Sequence, residues 1–276
     1  MSVVARPGML HPLLPKLKEL KLSGMLNTLE VRASQAVEGH LSPTEFLALL
    51  LDDELERRNQ NQLKLRLFQA GCQERKTLAR FEFAAVPTLN RSRVLELATC
   101  GFIGRRENVL ICGPTGVGKS HLASALSYEA VKQGYRVITK PVHELLNDLQ
   151  AAKADGGYRR RMSKVILVDL LVLDDFGLRP LSAQAINDLY EIISQRYEER
   201  SIVITSNRAM EEWPDVFGDG LLASAALDRL THHATTLIIR GQSYRQLERR
   251  KEGNEGNKTK TETGSDNDFT TQSNSS

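Results

Sequence analysis

Residues 10–80 are rich in leucine and studded with charge, a pattern with no two-residue alternation that predicts helices. The second of these has a legible start. Ser42 stands as N-cap, Pro43 takes the first helical position and Glu45 follows three residues after the cap, ahead of Phe46, Leu49 and Leu50. Residues 81–107 read as a connector: Pro87 breaks the helical pattern, and a short apolar-periodic piece surrounds Val94, Leu95 and Leu97. From Asn108 short apolar runs alternate with longer helical periods. Strands are predicted at Val109–Cys112, Arg136–Thr139, Leu170–Leu173 and Ser201–Ser206, with helices at His121–Gln133, Val142–Ala152 and Ala183–Arg200. Strand then helix, repeated, means a parallel sheet covered by helices on both faces. In the third of those helices Ile186, Leu189, Tyr190, Ile193 and Tyr197 form one apolar stripe for packing on the sheet.

The domain plan is therefore a helical N-terminal module over 1–80, a connector over 81–107, an α/β domain over 108–251 and a disordered polar tail over 252–276. The tail is Asn, Thr, Ser, Gly and acid, with too little apolar surface to offset the entropy of ordering it. At 41% hydrophobic and 26% charged residues the chain falls outside collagen-like, wholly disordered and membrane-embedded classes. Its formal net charge is +3, and acids outnumber bases beyond Glu252, so the body is the more basic part. No secretory signal or spanning segment is present, and Cys72, Cys100 and Cys112 lack the spacing of a disulfide framework or zinc site, which points to a reducing, cytoplasmic setting.

Gly113-Pro114-Thr115-Gly116-Val117-Gly118-Lys119-Ser120 matches G-x-x-x-x-G-K-[ST] between a predicted strand and a predicted helix, the context the motif requires. Glycines let backbone N–H groups converge on phosphate oxygens, Lys119 reaches the β- and γ-phosphates of ATP, and the Ser120 hydroxyl is a ligand for Mg²⁺. His121 is counted with these nucleotide contacts. Leu170–Asp175 is an apolar strand ending in two carboxylates, the form of a Walker B: Asp174 is placed to hold Mg²⁺ and Asp175 to polarise an attacking water. Asn207 ends the next strand, where parallel sheets gather ligand groups, either to orient the lytic water or simply to start a turn.

Arg159, Arg160, Arg161 and Lys164 form the densest basic cluster, read either as a solvated helix face or as a patch that contacts DNA phosphates. Arg245, Arg249, Arg250 and Lys251 form a second cluster. His232 and His233 are neighbours in sequence, so their side chains are expected to diverge and no two-histidine metal site is predicted.

The runs Asn108–Ala123, Leu170–Gly177, Thr205–Asn207, Leu227–Leu230 and Arg240–Arg245 together resemble the IstB-type transposition helper ATPases, AAA+ proteins related to DnaC-like helicase loaders. The resemblance runs over roughly residues 10–250. It implies a P-loop AAA+ ATPase that multimerises on duplex DNA and assists a cognate transposase, with Gly113–Ser120 as Walker A, Asp174 and Asp175 as Walker B, Asn207 as sensor 1 and Arg229 as arginine finger. Bottom-up, Arg229 is equally a surface arginine paired with Asp228 or Asp219. The chain leaves little room for a helical lid after Ile239, which puts a sensor 2 role for Arg245 in doubt. The first alternative is a replicative helicase loader with the same ATPase engine. A metabolite kinase is less favoured, because Asp174, Asp175 and Asn207 suit water activation better than a sugar or nucleoside acceptor.

Overall fold

A computed structural model describes residues 12–218, 220–241, 243 and 244, and the chain divides between Gln69 and Ala70 into two units. The first is all helical: α1 (Leu13–Glu19), α2 (Ser23–Glu38) and α3 (Pro43–Gln69). The helix capped by Ser42 is thus the third and not the second, because Lys21 adopts φ 56° and splits the leucine-rich stretch ahead of it. Its capping box forms as the sequence indicates. Glu45 N–H donates to Ser42 Oγ at 3.3 Å, while Glu45 Oε2 accepts from Ser42 N at 2.7 Å and Oγ at 2.8 Å, bonds that hold the Glu45 carboxyl below its ordinary range.

Helices α2 and α3 close on a small core of Met25, Leu29 and Leu50. They approach most tightly at Gly24, where a Cβ would lie 2.6 Å from Glu54 Cα and 2.7 Å from the Asp53 carbonyl oxygen. The buried Glu54 carboxylate accepts the Gly24 N–H at 2.6 Å and Arg58 Nε at 2.7 Å. Burial alone would raise its pKa, but the bonds from Arg58 and Gly24, with Arg57 nearby, lower it. Beside it Arg32 grips Asp53 through Nε at 2.8 Å and Nη2 at 2.6 Å, which holds the Asp53 carboxyl at about 2.

The second unit is built on five parallel strands in the order β2-β3-β4-β1-β5: β1 (Asn108–Cys112), β2 (Val137–Pro141), β3 (Leu170–Phe176), β4 (Ser201–Ser206) and β5 (Ala234–Ile238). Around them run α4 (Arg91–Ala98), α5 (Gly101–Gly104), α6 (Lys119–Lys132), α7 (Val142–Ala154), α8 (Tyr158–Leu167), α9 (Ala183–Arg196), α10 (Pro214–Phe217) and α11 (Gly220–Thr231). β1 and β4 are buried along their whole length, as near-continuous apolar strands inside a covered parallel sheet should be. The order sets β1 beside β4 and β4 beside β3, so the carboxyl ends of these three strands lie together.

Residues 81–107 are not a linker. Phe81, Val86, Leu89, Val94, Leu97 and Phe102 are buried, and Asn90 caps α4 by accepting Arg93 N–H at 3.2 Å, so the segment is part of the second unit. The apolar run Val165–Leu173 is divided between the end of α8 and the start of β3. What closes that junction is Arg196, a fully buried guanidinium. Its Nη1 donates to the carbonyls of Val165, Ile166 and Val168 at 2.9, 2.8 and 2.9 Å, and its Nη2 to Ser201 at 2.6 Å. Burial pushes its pKa down to about 9. α9 stops at Arg196, short of the predicted Arg200, because Glu198 turns the chain at φ 57°. Ile186, Leu189 and Ile193 are buried as the stripe predicts, with Tyr190 packed partly buried against the same core.

No helix among the described residues is long and apolar enough to cross a membrane. The predicted tail, Arg245 and the second basic cluster lie outside the described residues.

Candidate functional site

The loop Gly113–Gly118 leaves the end of β1 and delivers Lys119 as the first residue of α6. Gly116 and Gly118 adopt φ 86° and 99°, conformations that L side chains rarely take. Close approach adds a second requirement for glycine: a Cβ on Gly113 would collide with the Ile239 carbonyl oxygen, and one on Gly116 with Ser243 Oγ. The chain therefore turns so that the loop leads straight into the N-terminus of α6, an arrangement that attracts anions. Lys119 is buried, and its Nζ donates to the Pro114 carbonyl at 2.8 Å, which sets the ammonium inside the curl of the loop.

Two segments brace this loop. On one side Phe81 lies against Gly118 and meets the His121 ring edge-on at 5.4 Å between centroids, while His121 Nε2 contacts the Thr77 carbonyl at 2.9 Å. His121 is thus engaged with the 77–81 segment. On the other side Ile239 N–H donates to Cys112 O at 2.8 Å, Tyr244 N–H to Gly116 O at 3.0 Å, and Arg240 exchanges two bonds with Thr88 Oγ1 at 2.9 and 3.2 Å. Neither brace carries a nucleotide-motif signature; Arg240–Arg245 is one of the runs in which the chain resembles the helper ATPases.

β3 carries the two carboxylates just before its last residue, Phe176. Its register against β4 shifts between Leu173 and Phe176, and Asp175 sits at φ 57° in that irregularity, a left-handed conformation that Asp tolerates better than most residues. Thr205 on β4 ties the pair down: its Oγ1 donates to Asp174 Oδ1 and accepts the Asp175 N–H at 3.1 Å. Sequence reading gave Thr205 no role of its own. Its signals were its place in the Thr205–Asn207 run and a hydroxyl two residues before Asn207 on the neighbouring strand.

Asn207 follows β4 and is exposed. It lines a cavity of about 500 Å³ together with Gly113, Pro114, Glu211, Ile239 and Arg240. Cys112 also borders this cavity, and burial pushes its thiol up to about 11, so it is no thiolate nucleophile. Asn207 and the phosphate-binding loop thus share one wall. Asp174 and Ser120 each offer a hard oxygen donor, the chemistry Mg²⁺ prefers.

The remaining expected residues lie elsewhere on the unit. Arg229, half-buried on the last turn of α11, donates through Nη1 to Ala225 O at 2.8 Å and lies 5.6 Å over the Tyr190 ring. The basic cluster falls on α8 and divides by environment. Arg159, Arg160 and Lys164 are exposed, whereas Arg161 pairs with Asp155 at 2.8 Å and donates to Asp148 O at 3.1 Å.

Residues 15–252 match the family described as IstB-like ATP binding protein. The chain is 39% identical over 244 residues to the insertion sequence IS21 ATP-binding protein of Pseudomonas aeruginosa, covering 88% of this chain and 92% of the relative. It is 34% identical over 231 residues to the insertion sequence IS5376 ATP-binding protein of Geobacillus stearothermophilus, covering 84% and 92%. Among solved structures the DnaC helicase loader aligns with 54% of this chain and 89% of its own, at 23% identity and a TM-score of 0.45.

Proposed function

The chain belongs to the family of IstB-like ATP-binding proteins, and from that premise we propose that it hydrolyses ATP to ADP and phosphate as a helper of transposition, multimerising on duplex DNA beside a cognate transposase. The observation that carries the hydrolytic reading is the Thr205 hydroxyl bound at once to Asp174 and Asp175, next to the strand end from which the phosphate-binding loop departs.

In this reading the backbone N–H groups of Gly113–Ser120 and the N-terminus of α6 hold the phosphates, and the Lys119 ammonium moves from the Pro114 carbonyl to the β- and γ-oxygens. Ser120 and Asp174 would hold Mg²⁺, which when bound neutralises charge on the β- and γ-phosphate oxygens. Asp175 accepts the proton of the attacking water as its oxygen bonds to the γ-phosphorus and the bond to the β-phosphate oxygen breaks. Asn207 orients that water from the shared cavity wall. Arg229 serves a neighbouring subunit: leaving Ala225 and Tyr190, it offers its guanidinium to the phosphates held by the next copy. Exposed Arg159, Arg160 and Lys164 on α8 meet DNA phosphates, supported by the helical N-terminal unit. The setting is the cytoplasm.

Phosphate release measured with no DNA, duplex DNA, single-stranded DNA and a hexameric replicative helicase tests the reading. Stimulation by duplex DNA alone supports a transposition helper. Stimulation that needs single-stranded DNA or the helicase supports a loader instead.

A further inference from the structure

We propose that Glu198, His232 and His233 form a binding site for a divalent transition-metal ion of the zinc class. Each residue offers one ligand atom, and the three atoms lie within 4.8 Å of one another. The expectation that the neighbouring histidines diverge fails here. The pair occupies the turn between α11 and β5, outside any regular element, and its rings stack with centroids 4.0 Å apart and planes inclined at 47°.

Backbone bonds on both sides place these side chains. His232 N–H donates to Asp228 O at 3.0 Å, and the His233 carbonyl accepts Asn108 N–H at 2.9 Å. Glu198 sits in a left-handed conformation at φ 57°, its carbonyl held by Arg106 Nη1 at 3.0 Å. The two turns are thereby fixed to the sheet independently, and the three ligands come from both. The Tyr197 hydroxyl lies 2.8 Å from His232 Nδ1, the nitrogen that stands 3.9 Å from Glu198 Oε1, and so holds that ring beside the carboxylate.

Two imidazoles and one carboxylate make an N₂O donor set, which suits Zn²⁺, Ni²⁺ or Cu²⁺ and is poor for Mg²⁺ or Ca²⁺. Ligands about 2.0–2.1 Å from a tetrahedral zinc stand about 3.3 Å apart, so exposed side chains need only a small rotation to close from 4.8 Å. Exposure also leaves a coordination position for water and a route of entry. Because Glu198 precedes β4 and the histidines precede β5 in a parallel sheet, the site lies at the strand ends opposite the phosphate-binding loop. A bound ion would tie the α9–β4 turn to the α11–β5 turn, and α11 carries Arg229.

The test uses the full chain without nucleotide, titrated with Co²⁺ followed by its visible absorption and then with competing Zn²⁺ followed by calorimetry. The expected result is one saturable ion per chain, with Zn²⁺ displacing Co²⁺. His232→Gln, His233→Gln and Glu198→Gln should each weaken affinity at least tenfold, and Asp174→Asn not at all. Retained ATP binding by the Glu198, His232 and His233 variants reports that they are folded. No saturable uptake by the wild type, or uptake unchanged in His232→Gln and His233→Gln, would overturn the proposal.

Discussion

The Thr205 hydroxyl donates to Asp174 Oδ1 while accepting the Asp175 backbone N–H at 3.1 Å, so one side chain on β4 holds the Asp174 carboxylate and the Asp175 backbone together. A hydrogen bond to a charged group contributes about 1.5–3 kcal/mol, and each 1.4 kcal/mol is about tenfold in rate. Thr205→Val keeps the shape and removes the hydroxyl. Turnover should fall about 10–100-fold with ATP binding intact, and Thr205→Ser should restore most of it. Wild-type turnover in Thr205→Val would show that the contact is only structural.

Arg229 is expected to act across a subunit boundary. Arg229→Ala should bind ATP normally, yet lose ATP-dependent multimers and turnover. Mixing it with Asp175→Asn in equal parts should recover activity at interfaces that join an intact arginine to an intact carboxylate. Mixed multimers without recovered phosphate release would place Arg229 in its own subunit's structure, against Tyr190 and Ala225.

How far this site could be read in advance depended on contiguity. Gly113–Ser120 and Leu170–Asp175 declare themselves because each is one run of chain between predicted elements. The Ser42–Glu45 capping box is legible for the same reason and forms in full. Thr205 was missed because its partners lie 31 and 30 residues away and no spacing rule connects them. Arg196 carries no such signal because a charged residue on a helix reads as solvated, whereas its two Nη atoms donate to backbone carbonyls at the α8–β3 and β4 junctions in the interior. Residues 81–107 looked like a connector because Pro87 interrupts them, yet their scattered apolar side chains are buried in the second unit. The His232 and His233 rings come together because the pair lies in a turn, where the alternation of a regular element does not apply.

The N-terminal unit should be acid-sensitive through Asp53. Its carboxyl is held at about 2 when Arg32 grips it, against an ordinary value of 3.8. The folded state thus binds fewer protons than the unfolded one in this window, so the stability Asp53 contributes is complete above pH 3.8 and is lost as pH falls towards about 2. Arg32→Gln should return the Asp53 titration, followed by NMR, to near 3.8. An unchanged titration in Arg32→Gln would remove Arg32 as the cause.

DNA contact by α8 should be electrostatic and insensitive to sequence. Arg159, Arg160 and Lys164 are exposed and make no ion pair with an acidic side chain among the described residues, whereas Arg161 is paired with Asp155. Converting the three to Gln should make the log–log salt dependence of duplex binding shallower by about 3 units, with ATP affinity unchanged. Arg161→Gln alone should alter the slope far less. An unchanged slope in the triple variant would return the cluster to a solvated face.

The most direct test of the hydrolytic site is the turnover of Asp175→Asn at saturating ATP on duplex DNA, with nucleotide occupancy measured in the same sample. Asn accepts the left-handed backbone that Asp175 adopts at φ 57°, so the substitution removes charge and little else. Lys119→Ala serves as the variant that should fail to bind ATP at all. For Asp175→Asn the expected result is full occupancy with phosphate release reduced about 100-fold or more. Phosphate release at the wild-type rate would contradict the assignment of Asp175 as the residue that activates water.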